Sequence, residues 1–434
     1  MTLPSPPARL SPVSADDRAK ILEARDDAWI EKARRFCSLH GRHLRRESKA
    51  RFGNEADAHL RWMTSLLLLL PGQSNLPCDP ARLSAALYAI DAQKGASKEQ
   101  TSQANDQIAA LLAWHRAGNR RSYDPAQGPV FDYVPGQWRA EAPHAPRVLV
   151  LSPNPFSLYT LAVMQLCLRL EIPIAGLLVR SFTLVRFLDE YRRDGPRLLR
   201  KVWRKLVLRG DENADRSTLS LSQLLMSLDS NIGDARSLAK ASNVPIFSAA
   251  DWNTEPVSTW VNQQSPQLGL FTGGGMTRSG LQKCFSAGIL NVHLGHLPAY
   301  KGMDVVENPV LEGRRANVGA TAHIMDEGLD TGPIVQRLDF NPDTSDSLGS
   351  LRNKIAGLMP LIAIDSALGL GSGRLTCLPQ EKRGRQYFIT HPALRPVLDA
   401  ALESQSTKER DRFSDVYTLM VSDLQLSVNP RLKH

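Results

Sequence analysis

Three residues of this chain have the types and spacing for chemistry on a carbonyl group: Asn291, His293 and Asp330. The first two lie in GILNVHLGHLPAYKG. Two apart on an extended segment, their side chains point to the same face. An amide donor beside an imidazole can hold a carbonyl oxygen and move a proton. Further along, VGATAHIMDEGLDTGPIV supplies a strand, an acidic turn and Asp330. A carboxylate near an imidazole holds its tautomer and stabilises its cation. Read singly, Asn291 is more often a strand-end cap and His293 a satisfied buried histidine; the whole pattern favours chemistry. His323, inside GATAHIM, reads as structural. His293 and His296 are too close and too isolated to argue for a metal, so none is expected.

Such residues need strands that end beside one another. From Arg147 the chain runs RVLVLS, then the helical LYTLAVMQLCLRLEI, then IAGLLVRS. Strand, helix and strand at short spacing begin a parallel α/β sheet. Further strands are expected at VPIFSA, LGLFTG, ILNVHL, VGATAHIM and PIVQRLDF. LGLFTGGG ends a strand in three glycines, which lets a ligand approach the backbone at the sheet edge where ligands bind in open α/β folds. It matches neither GxGxxG nor GxxxxGK[ST], so a phosphate cradle is weakly supported. The Pro298–Gly302 stretch predicts a loop walling a pocket. The fold class expected is α/β, a doubly wound, mainly parallel sheet with helical N-terminal and C-terminal extensions. The expected divisions are 1–145 (helical, closing in a Pro/Gly-rich linker), 146–345 (catalytic) and 346–434 (mostly helical).

Global properties narrow the classes. The 434 residues are 42% hydrophobic and 22% charged, which excludes global disorder. A net charge of +9 favours anionic partners without choosing among them. Arg186 to Arg209 is a basic helical pair, read first as a solvated face and second as a site for an anionic acceptor. Five dispersed cysteines without a CxxC pair fit a reducing compartment. The N-terminus lacks a signal-peptide pattern and Leu66–Leu70 is too short to span a bilayer, so a cytoplasmic protein with no membrane partner is expected. A helix start is expected at Ser14–Asp17, and helices continue to about Arg116.

The two motifs together resemble the folate-dependent formyltransferase family, whose loose pattern is Asn-x-His, Leu-Pro-x-Tyr-[Arg/Lys]-Gly, Thr-x-His-x-x-Asp and Asp-x-Gly-Pro-Ile. The match runs over about Arg147 to Asp343. The resemblance implies a Rossmann-like core and 10-formyltetrahydrofolate as co-substrate. It implies that an acceptor amine attacks the formyl carbon while Asn291 and His293 stabilise the oxyanion. His293 also moves the proton and Asp330 orients it. Gly274, Met276, Asp326, Gly328 and Leu329 would then border the pterin, and His296 and Tyr300 the acceptor. Leu294 and Gly295 stand where many members have Pro-Ser, and His296 replaces an apolar residue, which leaves the acceptor open. Without an evident C-terminal barrel of the tRNA-formylating type, tRNA is disfavoured against a sugar amine, amino-acid derivative or peptide. A deformylase that hydrolyses the same folate is an alternative, because GATAH-x-x-x-x-x-LD-x-GPI is close to its motif. The helical N-terminus does not read as that hydrolase's regulatory domain. A non-catalytic folate- or RNA-binding protein is the second alternative. Lid, acceptor pocket and homodimer surface are the uses open to the N-terminal helices.

Overall fold

The structure, a computed structural model, describes residues 27–39, 42–70, 75–122, 125–181, 220–228, 233–340, 346–403 and 412–426. The helix start at Ser14–Asp17 and the basic pair at 186–209 lie outside these residues.

Five helices come first: α1 Asp27–Cys37, α2 Arg42–Phe52, α3 Ala56–Leu69, α4 Pro80–Ala92 and α5 Lys98–Arg116. Asp79 caps α4, its carboxylate accepting from the N–H groups of Ala81 and Arg82, and Pro80 opens the helix where its missing N–H costs nothing. Leu66, Leu67 and Leu68 are buried among these helices. The Gly/Pro-rich segment after α5 wraps the sheet. The N–H groups of Arg121 and Phe131 donate to the carbonyls of Gly313 (2.9 Å) and Arg337 (2.6 Å). The short α6 Gln137–Glu141 ends the wrap.

The sheet then builds in the order expected: β1 Val148–Ser152, α7 Leu158–Arg169, β2 Ile174–Arg180, α8 Leu221–Ser227, α9 Ala235–Ala241, β3 Ile246–Ala249, α10 Glu255–Gln264, β4 Leu268–Phe271, α11 Ser279–Gln282 and β5 Ile289–His293. Next come β6 Tyr300–Gly302, α12 Glu307–Leu311, β7 Gly319–Ile324 and β8 Ile334–Asp339. The chain closes with α13 Leu348–Ser372, β9 Arg385–Tyr387, α14 Arg395–Glu403 and α15 Arg412–Leu426.

The seven-stranded sheet has the order β3-β2-β1-β4-β5-β7-β8. Its first five strands are parallel, and β7 and β8 add antiparallel. This is the mostly parallel, Rossmann-like architecture expected. Both faces are covered, as β1 shows: Val148 and Val150 join the larger core with α7 and α13, whereas Leu149 and Leu151 join Val257, Leu281 and Ile289 on the opposite face. A strand buried on both sides must be apolar throughout, hence the unbroken VLVL run.

Helix α13 packs on α7, β5 and β7. It is long and apolar enough to cross a membrane by length and composition. Most of it is buried here, and its Asp365 accepts from Trp138 Nε1 (2.8 Å) and Gln336 Nε2 (2.9 Å), as a core helix with a satisfied polar group does. Pro298–Gly302 departs from the expected loop. Its last three residues form β6, which pairs in parallel with β9 more than eighty positions later.

Candidate active site

The strand order reverses between β1 and β4, and ligands of open α/β sheets bind in the crevice at such a point. Hydroxyls tie the two strand ends together: Ser152 Oγ lies 2.9 Å from Thr160 Oγ1, which lies 2.7 Å from Thr272 Oγ1, and Thr272 donates to the Leu151 carbonyl. Beyond Thr272 the chain runs through Gly273, Gly274 and Gly275, all at positive φ. A Cβ at Gly274 would stand 2.4 Å from the Trp252 ring, and one at Gly275 would stand 2.6 Å from the Arg180 guanidinium. Arg180, at the end of β2, donates to the carbonyls of Gly274 and Ala250. Nothing in the local sequence links this strand-end arginine to a glycine run about ninety residues on.

Asn291 and His293 occupy the third and last positions of β5, opposite His323 and Thr321 of β7. Asn291 Nδ2 lies 3.1 Å from His323 Nε2, and His323 Nδ1 lies 3.3 Å from the Ile324 carbonyl. A neutral imidazole with its proton on Nδ1 satisfies both contacts. Burial, opposed by Asp330 and reinforced by His293, pushes His323 down to about 4, so the ring is neutral near pH 7. His293 Nε2 donates to the Tyr300 carbonyl at 2.9 Å, which leaves Nδ1 facing Asp330 Oδ2 at 3.6 Å. Asp330 Oδ1 lies 3.8 Å from His323 Nε2, so the carboxylate stands between the two imidazoles. The two rings cross edge-on with centroids 6.5 Å apart.

The turn at Asp330 is held from several sides. Asp330 has φ +53°, a left-handed conformation that aspartate tolerates better than most residues. The Gly302 N–H donates to Asp330 Oδ2 at 2.8 Å, and Gln380 Nε2 donates to the carbonyls of Asp330 and Gly332. Asp326 closes its own turn through the Gly328 N–H and the Thr331 hydroxyl. Gln282 Nε2 donates to the carbonyls of Thr277 (3.1 Å) and Asp326 (3.0 Å). That side chain binds the glycine-run segment to the Asp326–Asp330 loop. Met276 and Leu329 are exposed on the two sides. Lys301 donates to the Arg383 carbonyl, and burial lowers its ammonium pKa against the opposing pull of Asp330 and Asp326.

Of the residues singled out by sequence, Asn291, His293 and Asp330 meet at the end of β5, and Gly274, Met276, Asp326, Gly328 and Leu329 lie on the two segments that Gln282 ties together. The two expected at an acceptor are placed elsewhere. His296 has no exposed surface; its Nε2 lies 3.1 Å from the Leu338 carbonyl and 3.3 Å from Asp339, beneath β7 and β8. Tyr300 is 1% exposed, with its hydroxyl donating to Glu312 and its ring stacked on Tyr387. It serves the crevice through its main-chain carbonyl. His323, read as structural, belongs to the cluster; its register opposite Asn291 was the available signal. Among the described residues no group of His, Cys, Asp and Glu is arranged to hold a metal ion.

Residues 278–365 match the formyl transferase family. A methionyl-tRNA formyltransferase of Aromatoleum aromaticum is 28% identical over 138 residues, 32% of this chain and 43% of the relative. One from Legionella pneumophila is 36% identical over 89 residues, 20% of this chain and 28% of the relative. The chain spans less than half the length of the curated relatives it matches. Among solved structures, glycinamide ribonucleotide transformylase 1 from Symbiobacterium toebii aligns with a TM-score of 0.36 at 17% identity, covering 57% of this chain and 95% of that one.

Proposed function

We propose that this chain is an N-formyltransferase taking a formyl group from 10-formyltetrahydrofolate to an amine, with Asn291, His293 and Asp330 as its catalytic residues. The observation that carries the reading is their convergence at the end of β5, beside the glycine run, within the segment that matches the formyl transferase family. The catalytic unit is the sheet domain expected at 146–345, completed by α13, into which the family match extends.

The crevice suits a pterin. Gly274 and Gly275 let the chain pass tightly against Trp252 and Arg180, which fixes one wall, exposed Met276 and Leu329 offer apolar contact, and Gln282 holds the two walls together. Bound there, 10-formyltetrahydrofolate supplies the activated formyl group. The Tyr300 carbonyl keeps the His293 proton on Nε2, so the lone pair sits at Nδ1. That atom would take the proton shed by the attacking amine and pass it to the folate nitrogen as its bond to the formyl carbon breaks, with Asp330 balancing the imidazolium in between. Asn291 spends one N–H on His323 and directs the other at the carbonyl oxygen where negative charge develops.

The acceptor proposed is a small-molecule amine. After β8 the described residues form helices, loops and the three-residue β9, which supports this acceptor over tRNA. A tRNA acceptor is the second reading, favoured by relatives that are methionyl-tRNA formyltransferases. The test is incubation with 10-formyltetrahydrofolate alone, with a pool of small amines, and with aminoacylated tRNA, following tetrahydrofolate release. Release that needs small amines is expected. Release without any acceptor would establish a hydrolase instead, and release only with tRNA would move the acceptor to the second reading. His293→Ala and Asp330→Ala should each lower turnover roughly 100- to 10,000-fold, the range for a lost general acid–base group. Circular dichroism should be unchanged, and full activity in both variants would refute the assignment.

A further inference from the structure

A cavity of about 240 Å³ lies between the N-terminal helices and the β6–β9 pair, outside the crevice described above. Three guanidinium groups line it, Arg121, Arg314 and Arg385, with the carboxylates of Asp79 and Glu312. The cavity is partly open to solvent, so a small solute can reach it. At about 30 Å³ per molecule it holds on the order of eight waters or one small solute.

The carboxylates are already committed to the protein. Asp79 Oδ1 accepts from the N–H groups of Ala81 (3.0 Å) and Arg82 (3.1 Å), and Oδ2 takes Arg385 Nη1 at 2.7 Å and lies 3.2 Å from Arg82 Nε. Glu312 accepts from the hydroxyls of Tyr387 (2.7 Å) and Tyr300 (3.0 Å). The donors are not all committed. Arg121 has its backbone fixed by the bond to the Gly313 carbonyl, while its guanidinium has no polar partner among the described residues. With three cations against two anions, the lining keeps one positive charge unbalanced. Its unspent capacity is therefore guanidinium N–H, which is suited to planar or tetrahedral oxyanions.

We propose that this cavity is a binding site for a small metabolite bearing a phosphate or carboxylate group, held by Arg121, Arg314 and Arg385. The site stands apart from the formyl-transfer reading, because its lining draws on Asp79, Arg121 and Arg385, all outside the family match. It adjoins the crevice through one strand: Ala299 lines the cavity, and the next residue gives its carbonyl to His293.

The test uses the full chain and two probes, inorganic phosphate and malonate, each titrated while the thermal midpoint is followed. Arg121→Ala, a change at a side chain without polar partners among the described residues, is titrated in parallel. At least one probe should raise the midpoint of the parent, and Arg121→Ala should weaken that response tenfold or more. A response to phosphate, to malonate or to both supports the site and identifies which oxyanion it takes. No response to either, or one unaltered in Arg121→Ala, overturns it. Crystals soaked in tungstate give an independent check: anomalous density among the three arginines is expected, and tungstate bound only elsewhere overturns the site. Neither readout depends on turnover, so failure here is distinguishable from failure of the formyl-transfer reading.

Discussion

His323 carries its information at a single atom. Its Nε2 accepts from Asn291, so the ring has to remain neutral for the amide to hold its orientation. Burial supplies that neutrality by pushing the group down to about 4 from the usual value near 6.5. The unfolded chain therefore binds a proton between about pH 6.5 and pH 4 that the folded chain excludes. Stability contributed by His323 is present above that window and is lost as pH falls through it, by roughly 3 kcal/mol at one pKa unit per 1.4 kcal/mol. Urea midpoints at pH 7 and pH 4.5 should fall further apart in the parent than in His323→Leu; equal differences would sink the assignment. The meeting of Asn291, His293 and Asp330 was legible because an Asn-x-His pair on one strand and a carboxylate after the next come together once those strands pair. His296 and Tyr300 were misplaced because their partners, Leu338 and Glu312, come into reach through β7–β8 pairing and through α12, which no local pattern specifies.

At the scale of elements, the strands of the central sheet were readable from apolar runs, since strands buried on both faces need them. β6 and β9 were not readable. Each has three residues, too few for a periodic signal, and their pairing is decided only when the tail returns to the sheet. Gly302 is the residue on which that pairing turns. It has φ +98°, and a Cβ there would stand 2.3 Å from the Tyr387 carbonyl oxygen, while its N–H holds the Asp330 carboxylate. Gly302→Ala is expected to cost about 1–3 kcal/mol in backbone strain alone. It should also reduce turnover more than Gly280→Ala, where an added Cβ meets open space. Equal losses in the two variants would mean that β6 does not position Asp330.

Across the whole molecule, the N-terminal helices reach the crevice through buried charge. Asp79, at the head of α4, receives Arg385 of β9 at 2.7 Å, and Arg385 also lies 3.4 Å from Glu31 of α1. β9 pairs with β6, whose Tyr300 carbonyl and Gly302 N–H hold His293 and Asp330. Burial alone would raise the Asp79 carboxyl, but Arg385 and Arg82 outweigh it and hold the group well below the usual carboxylate range. Its stability contribution is therefore present above the unfolded carboxylate value and is lost as pH falls below it. Removing one partner of such a pair leaves the other charge buried without compensation, at a cost of about 3 kcal/mol, tempered by the partial exposure of Arg385. Asp79→Asn should therefore lower the denaturant midpoint at neutral pH and bring it closer to the parent's under acid conditions, where the unfolded parent chain is stabilised by protonating this carboxyl. Hydrogen exchange should quicken in α4 and in β6 together, because they share Arg385 and its strand. Faster exchange confined to α4 would show that the helical region and the crevice are energetically separate.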